Sequence, residues 1–205
     1  MKNINTPKYW DEVYKEEGFS DPCIRNDTFV FTSLLSRVKN KFGKLQVLDA
    51  GCGNGYFLKL ASLTKNWDLY GIDHSKEGLG VAKKRVPEAM FKQADLHKIP
   101  YYDSFFDVVF CMETLEHIRK VRPVIDEMKR VLARGGQLLI QVPYKDDIPS
   151  KEHINQFDTE NLGDWVSEED NEAEFFVVKH TGRTRDNGDG TISPVNFIIC
   201  SWIKK

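Results

Sequence analysis

From Leu45 onward the chain repeats one pattern, a short apolar run, then a polar or glycine-rich break, then apolar positions three and four apart. The runs near Leu45–Ala50, Asp68–Asp73, Met90–Ala94, Phe106–Cys111 and Gln137–Pro143 predict strands covered on both faces, because a strand with one wet face would alternate. The intervening helical spacings imply an α/β fold, a parallel sheet with helices on both sides. The clearest helix precedes the fifth run. Pro123 opens it, Val124, Ile125, Met128, Val131 and Leu132 form its buried stripe, and Gly135-Gly136 follows its end. Another short helix is expected after Asp158.

Two helices precede this series. Thr6-Pro7 supplies a hydroxyl cap and a first-turn proline for a helix over Lys8 to Glu17, stopped by Gly18 and carrying Tyr9, Trp10 and Tyr14. A second, from about Thr28 to Phe42, places Phe31, Leu34, Leu35, Val38 and Phe42 on one face before Gly43. At the other end, Phe175–Val178 and Val195–Trp202 flank the turn sequence Asn187-Gly188-Asp189-Gly190, which predicts an antiparallel hairpin. The organisation read from these patterns is a helical extension over 1–43, a lid or simply packing, and one α/β domain over 44–205.

Charge narrows the class of partner: 29 Lys and Arg against 31 Asp and Glu leave a net charge of -2 and no polybasic surface, which argues against nucleic acid. Cys23, Cys52, Cys111 and Cys200 are too dispersed for a C-x-x-C zinc or redox pair. Met1 to Asn5 has no signal-peptide pattern, and no apolar run reaches membrane-span length, so the expectation is a cytoplasmic protein with reduced thiols and no membrane partner. Lys83-Lys84-Arg85 and Lys204-Lys205 read as solvated charge, His97 and His180 as structural or exposed, and Tyr101-Tyr102 with Phe105-Phe106 as packing.

Chemistry concentrates where the first strand breaks. Val47-Leu48-Asp49-Ala50-Gly51-Cys52-Gly53-Asn54-Gly55 is a buried strand running into a glycine loop and then a helix, the layout of a nucleotide site. Glycines at Gly51, Gly53 and Gly55 let the backbone approach a ligand closely. A tight turn without ligand would share this signature. The acids ending the neighbouring strands separate the two, since carboxyl ends of adjacent parallel strands share one crevice. Asp73 is placed for ribose hydroxyls and Asp95 for an adenine amine, with His74 and Leu96 against the ring and Asp49 nearest the other end of the ligand.

The ordered motifs VLDAGCGNGYF, GID, ADLHKIPYYDSFFD, FDVVFCMETLEHI and VLARGGQLLIQVP resemble those of the class I S-adenosylmethionine-dependent methyltransferases, in the small-molecule and ubiquinone-pathway-like branch. The resemblance spans Leu45 to the end of the sequence. It implies a Rossmann-like, seven-stranded, mostly parallel sheet of order 3-2-1-4-5-7-6 with the seventh strand antiparallel. It also implies S-adenosylmethionine as cofactor, with Cys111 and Met112 lining its pocket by position. A dinucleotide oxidoreductase is the competitor, but its fingerprint requires a third glycine where this chain has Tyr56.

Methyl transfer from a sulfonium needs chiefly an oriented acceptor and, for a hydroxyl, something to take its proton. Glu113-Thr114-Leu115-Glu116-His117 follows the fourth strand, and His153 lies in the loop after the fifth. Catalytic roles therefore fall on Glu116, His117 and His153. The E-x-x-E-H segment with its later histidine is similar to the pattern of metal-dependent 2′-O-methyltransferases acting on RNA 3′ ends. That resemblance implies a magnesium, manganese, iron or zinc ion held by Glu113, Glu116, His117 and His153, whereas other relatives use the histidine as a base or as packing. The expected function is O-methylation of a small molecule, with RNA-terminus methylation and a catalytically silent donor-binding partner protein as alternatives. Acceptor identity and oligomeric state leave no trace in the sequence.

Overall fold

The computed structural model describes residues 5–17, 31–39, 43–64, 66–145, 152–167, 171–186 and 192–205. Helix α1 (Pro7–Glu17) comes first, and residues 31–36 are also helical. The alternating series is β1 (Gln46–Ala50), α2 (Tyr56–Thr64), β2 (Asp68–Asp73), α3 (Lys76–Arg85), β3 (Met90–Gln93) and β4 (Phe106–Met112). A 3-10 turn (Leu115–His117), α4 (Val121–Val131), β5 (Leu132–Pro143), α5 (Thr159–Val166), β6 (Glu174–Asp186) and β7 (Ile192–Ile203) complete it. The strands make one seven-stranded sheet, β3-β2-β1-β4-β5-β7-β6, in which β7 runs antiparallel to both neighbours.

Alternation along each strand divides the core into two layers. Leu48, Ala50, Val109, Cys111, Leu138, Ile140, Ile198 and Cys200 point toward α4 and α5. Val47, Val108, Phe110, Leu139, Phe197 and Ile199 point toward α2, α3 and the helical residues 31–36. Both faces are buried, which is why these strands read as unbroken apolar runs. Helix α4 buries Val121, Val124, Ile125, Met128 and Val131 as one stripe. Asp158 begins α5 with a capping box, its carboxylate accepting from the Glu160 and Asn161 N–H groups.

The sequence-based expectations meet the structure within a residue or two for β1 to β4. The fifth strand differs: it starts at Leu132, directly after α4, rather than at Gln137. Gly135 and Gly136 are part of that strand's irregular start, where the Gly135 N–H donates to the Lys204 carbonyl (2.6 Å) and the Lys204 N–H to the Gly136 carbonyl (3.0 Å). A partner 68 or so residues away, beyond any local window, makes paired backbone of the two glycines expected only to follow the helix end. The terminal strands are longer than the expected runs but keep the expected antiparallel pairing, Phe175 opposite Cys200 and Val178 opposite Phe197. Gly18, Cys23, the ends of the expected second helix and the Asn187–Gly190 turn lie outside the described residues. Among the described residues no helix is long and apolar enough to cross a membrane.

Candidate active site

The carboxyl ends of β1, β2 and β4, the segment after β3 and the face of α1 enclose one cavity of about 540 Å³, within the range of small-ligand sites. On the β1 side the chain leaves the strand through Gly51 at φ +88° and Gly53 at φ +49°. A Cβ at Gly51 would run into the Thr114 side chain, and one at Gly53 into the Tyr14 hydroxyl. Glycine is required here for both conformation and space. The loop is tied to β2, with the Gly51 and Cys52 N–H groups donating to the Ile72 carbonyl at 2.8 and 3.0 Å. Asp73 completes the tie: one carboxylate oxygen accepts from the Gly53 N–H (2.9 Å), the other from the Ser75 N–H (2.8 Å).

Two buried acids stand behind this loop. Burial, reinforced by the nearby Asp73, pushes Asp49 up to about 8, and burial likewise raises Asp73 against the hydrogen bonds it accepts. Asp95 is exposed and lines the cavity. Burial opposes its charge, but the His97 backbone N–H (2.9 Å) and ring Nδ1 (2.7 Å) outweigh it and hold the carboxyl below its usual range. His97 is therefore the clamp that orients Asp95, its other ring nitrogen lying 3.1 Å from the Lys120 carbonyl.

Of the residues singled out from sequence for the donor, Gly51, Asp73, His74, Asp95 and Leu96 line the cavity, whereas Asp49, Gly53 and Gly55 lie behind its wall. Cys111 and Met112 do not line it either. Strand β4 runs through Met112, so these two side chains turn to opposite faces of the sheet and enter the two core layers. Glu113 and Thr114, just beyond the strand, form the wall in their place.

Glu113 sits at φ +46°, a left-handed turn that ends β4. Gln141 holds it from both sides: its carbonyl accepts the Glu113 N–H (3.0 Å) and its amide donates to the Glu113 carboxylate (2.6 Å). Ligand atoms of Glu116, His117 and His153 gather within 4.8 Å of one another, with Glu113 outside that group. The loop carrying His153 is pinned to the 3-10 turn, the Ile154 and Asn155 N–H groups donating to the Glu116 carbonyl at 2.8 and 3.2 Å. His117 lines the cavity. Its Nδ1 lies 3.1 Å from the Glu152 carbonyl, which only accepts, so Nδ1 carries the proton and Nε2 the lone pair. Burial, outweighing that hydrogen bond, drops the imidazole to about 4 and keeps it neutral.

Helix α1 closes the cavity over these groups. Trp10 packs edge-on against His117 with ring centroids 4.9 Å apart, and Pro7, Trp10 and Tyr14 line the wall. Asn5, Thr114, Ile118 and Arg119 also line it, and none was marked in the sequence. Thr114 had a usable signal, a small polar residue just past the strand end and opposite the glycine loop.

The pattern of the methyltransferase domain family matches residues 48–140, the stretch that holds the glycine loop, Asp73, Asp95 and Glu116-His117. An uncharacterized protein of Methanocaldococcus jannaschii is 33% identical over 140 residues, 68% of this chain and 57% of its own length. The malonyl-[acyl-carrier protein] O-methyltransferase of Buchnera aphidicola is 32% identical over 111 residues, 52% of this chain and 42% of its own. The chain thus spans about half the length of the curated relatives it matches. Among solved structures, the complex of the Haloferax volcanii Trm112 methyltransferase activator with a methyltransferase contains a chain that superposes with a TM-score of 0.77 at 16% identity, covering 98% of this chain and 97% of that one. Fold, strand order and motif order together place the chain in the class I S-adenosylmethionine-dependent methyltransferase family.

Proposed function

We propose that the protein binds S-adenosylmethionine in the 540 Å³ cavity and transfers its methyl group to an oxygen of a small molecule. The observation that carries this reading is the convergence of Gly51, Asp73 and Asp95 with Thr114 and His117 on one cavity. Asp73 and Asp95 serve the ribose and adenine, Asp49 lies toward the amino-acid end, and the acceptor enters beside His117. An acceptor oxygen attacks the methyl carbon, the carbon–sulfur bond breaks, and its electron pair returns to sulfur, leaving neutral S-adenosylhomocysteine. The acceptor's proton passes to His117 Nε2, the nitrogen left bare by the Glu152 hydrogen bond. The name of the Buchnera relative, an O-methyltransferase, supports oxygen as the atom methylated.

The Glu116, His117 and His153 cluster favours a second reading, in which these three hold a divalent ion. One carboxylate and two imidazoles fit magnesium, manganese, iron or zinc, and such an ion would supply Lewis-acid activation of the acceptor. Glu113, occupied by Gln141, is outside that ligand set.

Isothermal titration with S-adenosylhomocysteine and with NAD tests the cofactor: micromolar binding of the former alone is expected, and binding of NAD alone sinks the reading. Turnover of labelled donor across phenols, sugars, carboxylates and short RNAs, with and without chelator, tests the rest. Methylated small molecules insensitive to chelator support His117 as base, chelator-sensitive turnover supports the ion, and transfer to RNA alone overturns the acceptor class.

A further inference from the structure

The Glu152 main-chain carbonyl is a junction between α1 and the acceptor side of the cavity. It accepts from His117 Nδ1 at 3.1 Å and from the Asn5 side-chain amide at 2.8 Å. The Glu152 carboxylate accepts a hydrogen bond from the Tyr9 hydroxyl of α1. One residue thus receives two bonds from the N-terminal segment and one from the imidazole. The contacts are far apart in sequence, 147 residues for Asn5 and 143 for Tyr9, so they exist only when α1 is docked. The same helix reaches the donor loop at its other end, where the Tyr14 hydroxyl lies over Gly53 and Asp11 accepts from Ser75 Oγ at 2.6 Å.

We infer that Tyr9, Asn5 and Glu152 are positioning residues for His117, the docked helix holding the Glu152 carbonyl on Nδ1 so that Nε2 stays the proton-accepting nitrogen. This rests on the reading of His117 as the acceptor's base. A neutral imidazole has two tautomers, and only the one protonated at Nδ1 has an Nε2 lone pair to offer. In water the two interconvert freely, so the choice is made by whichever acceptor sits against the ring. Here that acceptor is a loop carbonyl whose own position is set by α1. Trp10, edge-on to the same ring, fixes the ring plane from the helix side. A helix spanning both ends of the cavity therefore links a seated donor to a correctly protonated base, and a base left without α1 loses its preference for one nitrogen.

The test needs no acceptor. With ¹⁵N-histidine labelling and S-adenosylhomocysteine bound, the His117 ring nitrogens of the wild type should report the Nδ1–H tautomer, assigned by loss of the signals in His117→Gln. In Tyr9→Phe/Asn5→Ala the ratio of tautomers should move toward Nε2–H by about fivefold, the weight of one net hydrogen bond. In Tyr9→Phe alone, which leaves the cavity lining intact, S-adenosylhomocysteine affinity should stay within about twofold, because the Asp11 and Tyr14 contacts remain. Should the double variant fail to fold, Glu152→Ala against Glu152→Gln makes the same comparison: the amide oxygen still accepts from Tyr9, so Gln keeps the wild-type pattern and Ala does not. An unchanged His117 pattern in folded Tyr9→Phe/Asn5→Ala or Glu152→Ala overturns the inference. So does a loss of affinity with the pattern unchanged, since α1 would then serve the donor alone. Undiminished turnover in His117→Gln would remove the base reading and leave the tautomer result to be judged by itself.

Discussion

Asp11 caps a helix to which it does not belong. Its carboxylate accepts from Ser75 Oγ at 2.6 Å and from the Glu77 N–H at 3.1 Å, at the first turn of α3. Ser75 is itself the N-cap, its hydroxyl oxygen accepting from the Gly78 N–H at 3.0 Å. Burial opposes the Asp11 charge, but these donors outweigh it and hold the carboxyl below its usual range. Asp11→Ala should cost about 1 kcal/mol of folding stability, the worth of a helix cap, and should quicken dissociation of S-adenosylhomocysteine. Urea unfolding and stopped-flow release measure the two, and an unaltered urea midpoint would show that α1 is not seated by Asp11.

Gly51 faces the Thr114 side chain just past the end of β4, and the two components of a Gly51→Ala defect can be separated. The left-handed backbone alone should cost about 1–3 kcal/mol, and collision with Thr114 adds to it. Gly51→Ala/Thr114→Ala should regain the steric part and keep the backbone part, giving a non-additive double-mutant cycle in thermal unfolding. Strict additivity would mean the two residues do not meet.

Asp49 sets a pH dependence whose sign follows from burial. Its carboxyl titrates near 8 in the fold against 3.8 in an open chain, so between those values the folded state holds a proton that the unfolded state has lost. The stability it contributes is complete below about 3.8 and is lost as pH rises through about 8. Asp49→Asn should flatten the fall in urea midpoint across that window and leave the variant the more stable at the alkaline end. A wild-type and variant profile of identical slope contradicts the assignment. The cationic end of S-adenosylmethionine favours the charged carboxylate, so binding below about pH 8 should release protons, seen as buffer-dependent heats in the wild type and reduced in Asp49→Asn.

Arg130 fastens the segment that follows Asp95. Its guanidinium donates to the Ile99 and Tyr101 carbonyls (both 2.9 Å), to Asp103 (2.8 Å) and to both carboxylate oxygens of Glu127 (2.7 and 2.8 Å), while Glu127 also accepts from the Ile99 N–H at 2.8 Å. Lysine has no planar fork to reproduce this, so Arg130→Lys should cost about 2 kcal/mol and weaken binding of adenosine-containing ligands through Asp95. Hydrogen exchange at Ile99 and Tyr101 is the local readout, and unchanged protection there would refute it.

What the sequence made legible was whatever local chemistry determines. Buried parallel strands announce themselves as apolar runs, and the glycine loop with Asp73 and Asp95 follows from where those runs end. The start of β5 was illegible because Gly135-Gly136 pairs with Lys204, and a lone Gly-Gly otherwise reads as a turn. Position along the chain alone assigns Cys111 and Met112 to the donor wall, but β4 runs through Met112 and its alternation buries the two side chains in opposite core layers. One residue in a strand moves a side chain to the other face. Glu113 departs from the expected four-residue ligand set because Gln141, on the next strand, holds it. The Asn5, Tyr9 and Glu152 junction has no sequence signature, since each is an ordinary polar residue until the chain folds.

Strand β7 enters the sheet between β5 and β6, both of which precede it along the chain. During synthesis the donor half, β1 to β4 with its glycine loop, has every strand partner in hand while β5 still presents a bare backbone edge. Until residues 192–203 arrive, that edge is an open template for any other strand, including one from another nascent copy. Until then protection falls to whatever covers the β5 edge, and chaperone dependence should track the time before β7 arrives rather than the stability of the finished fold.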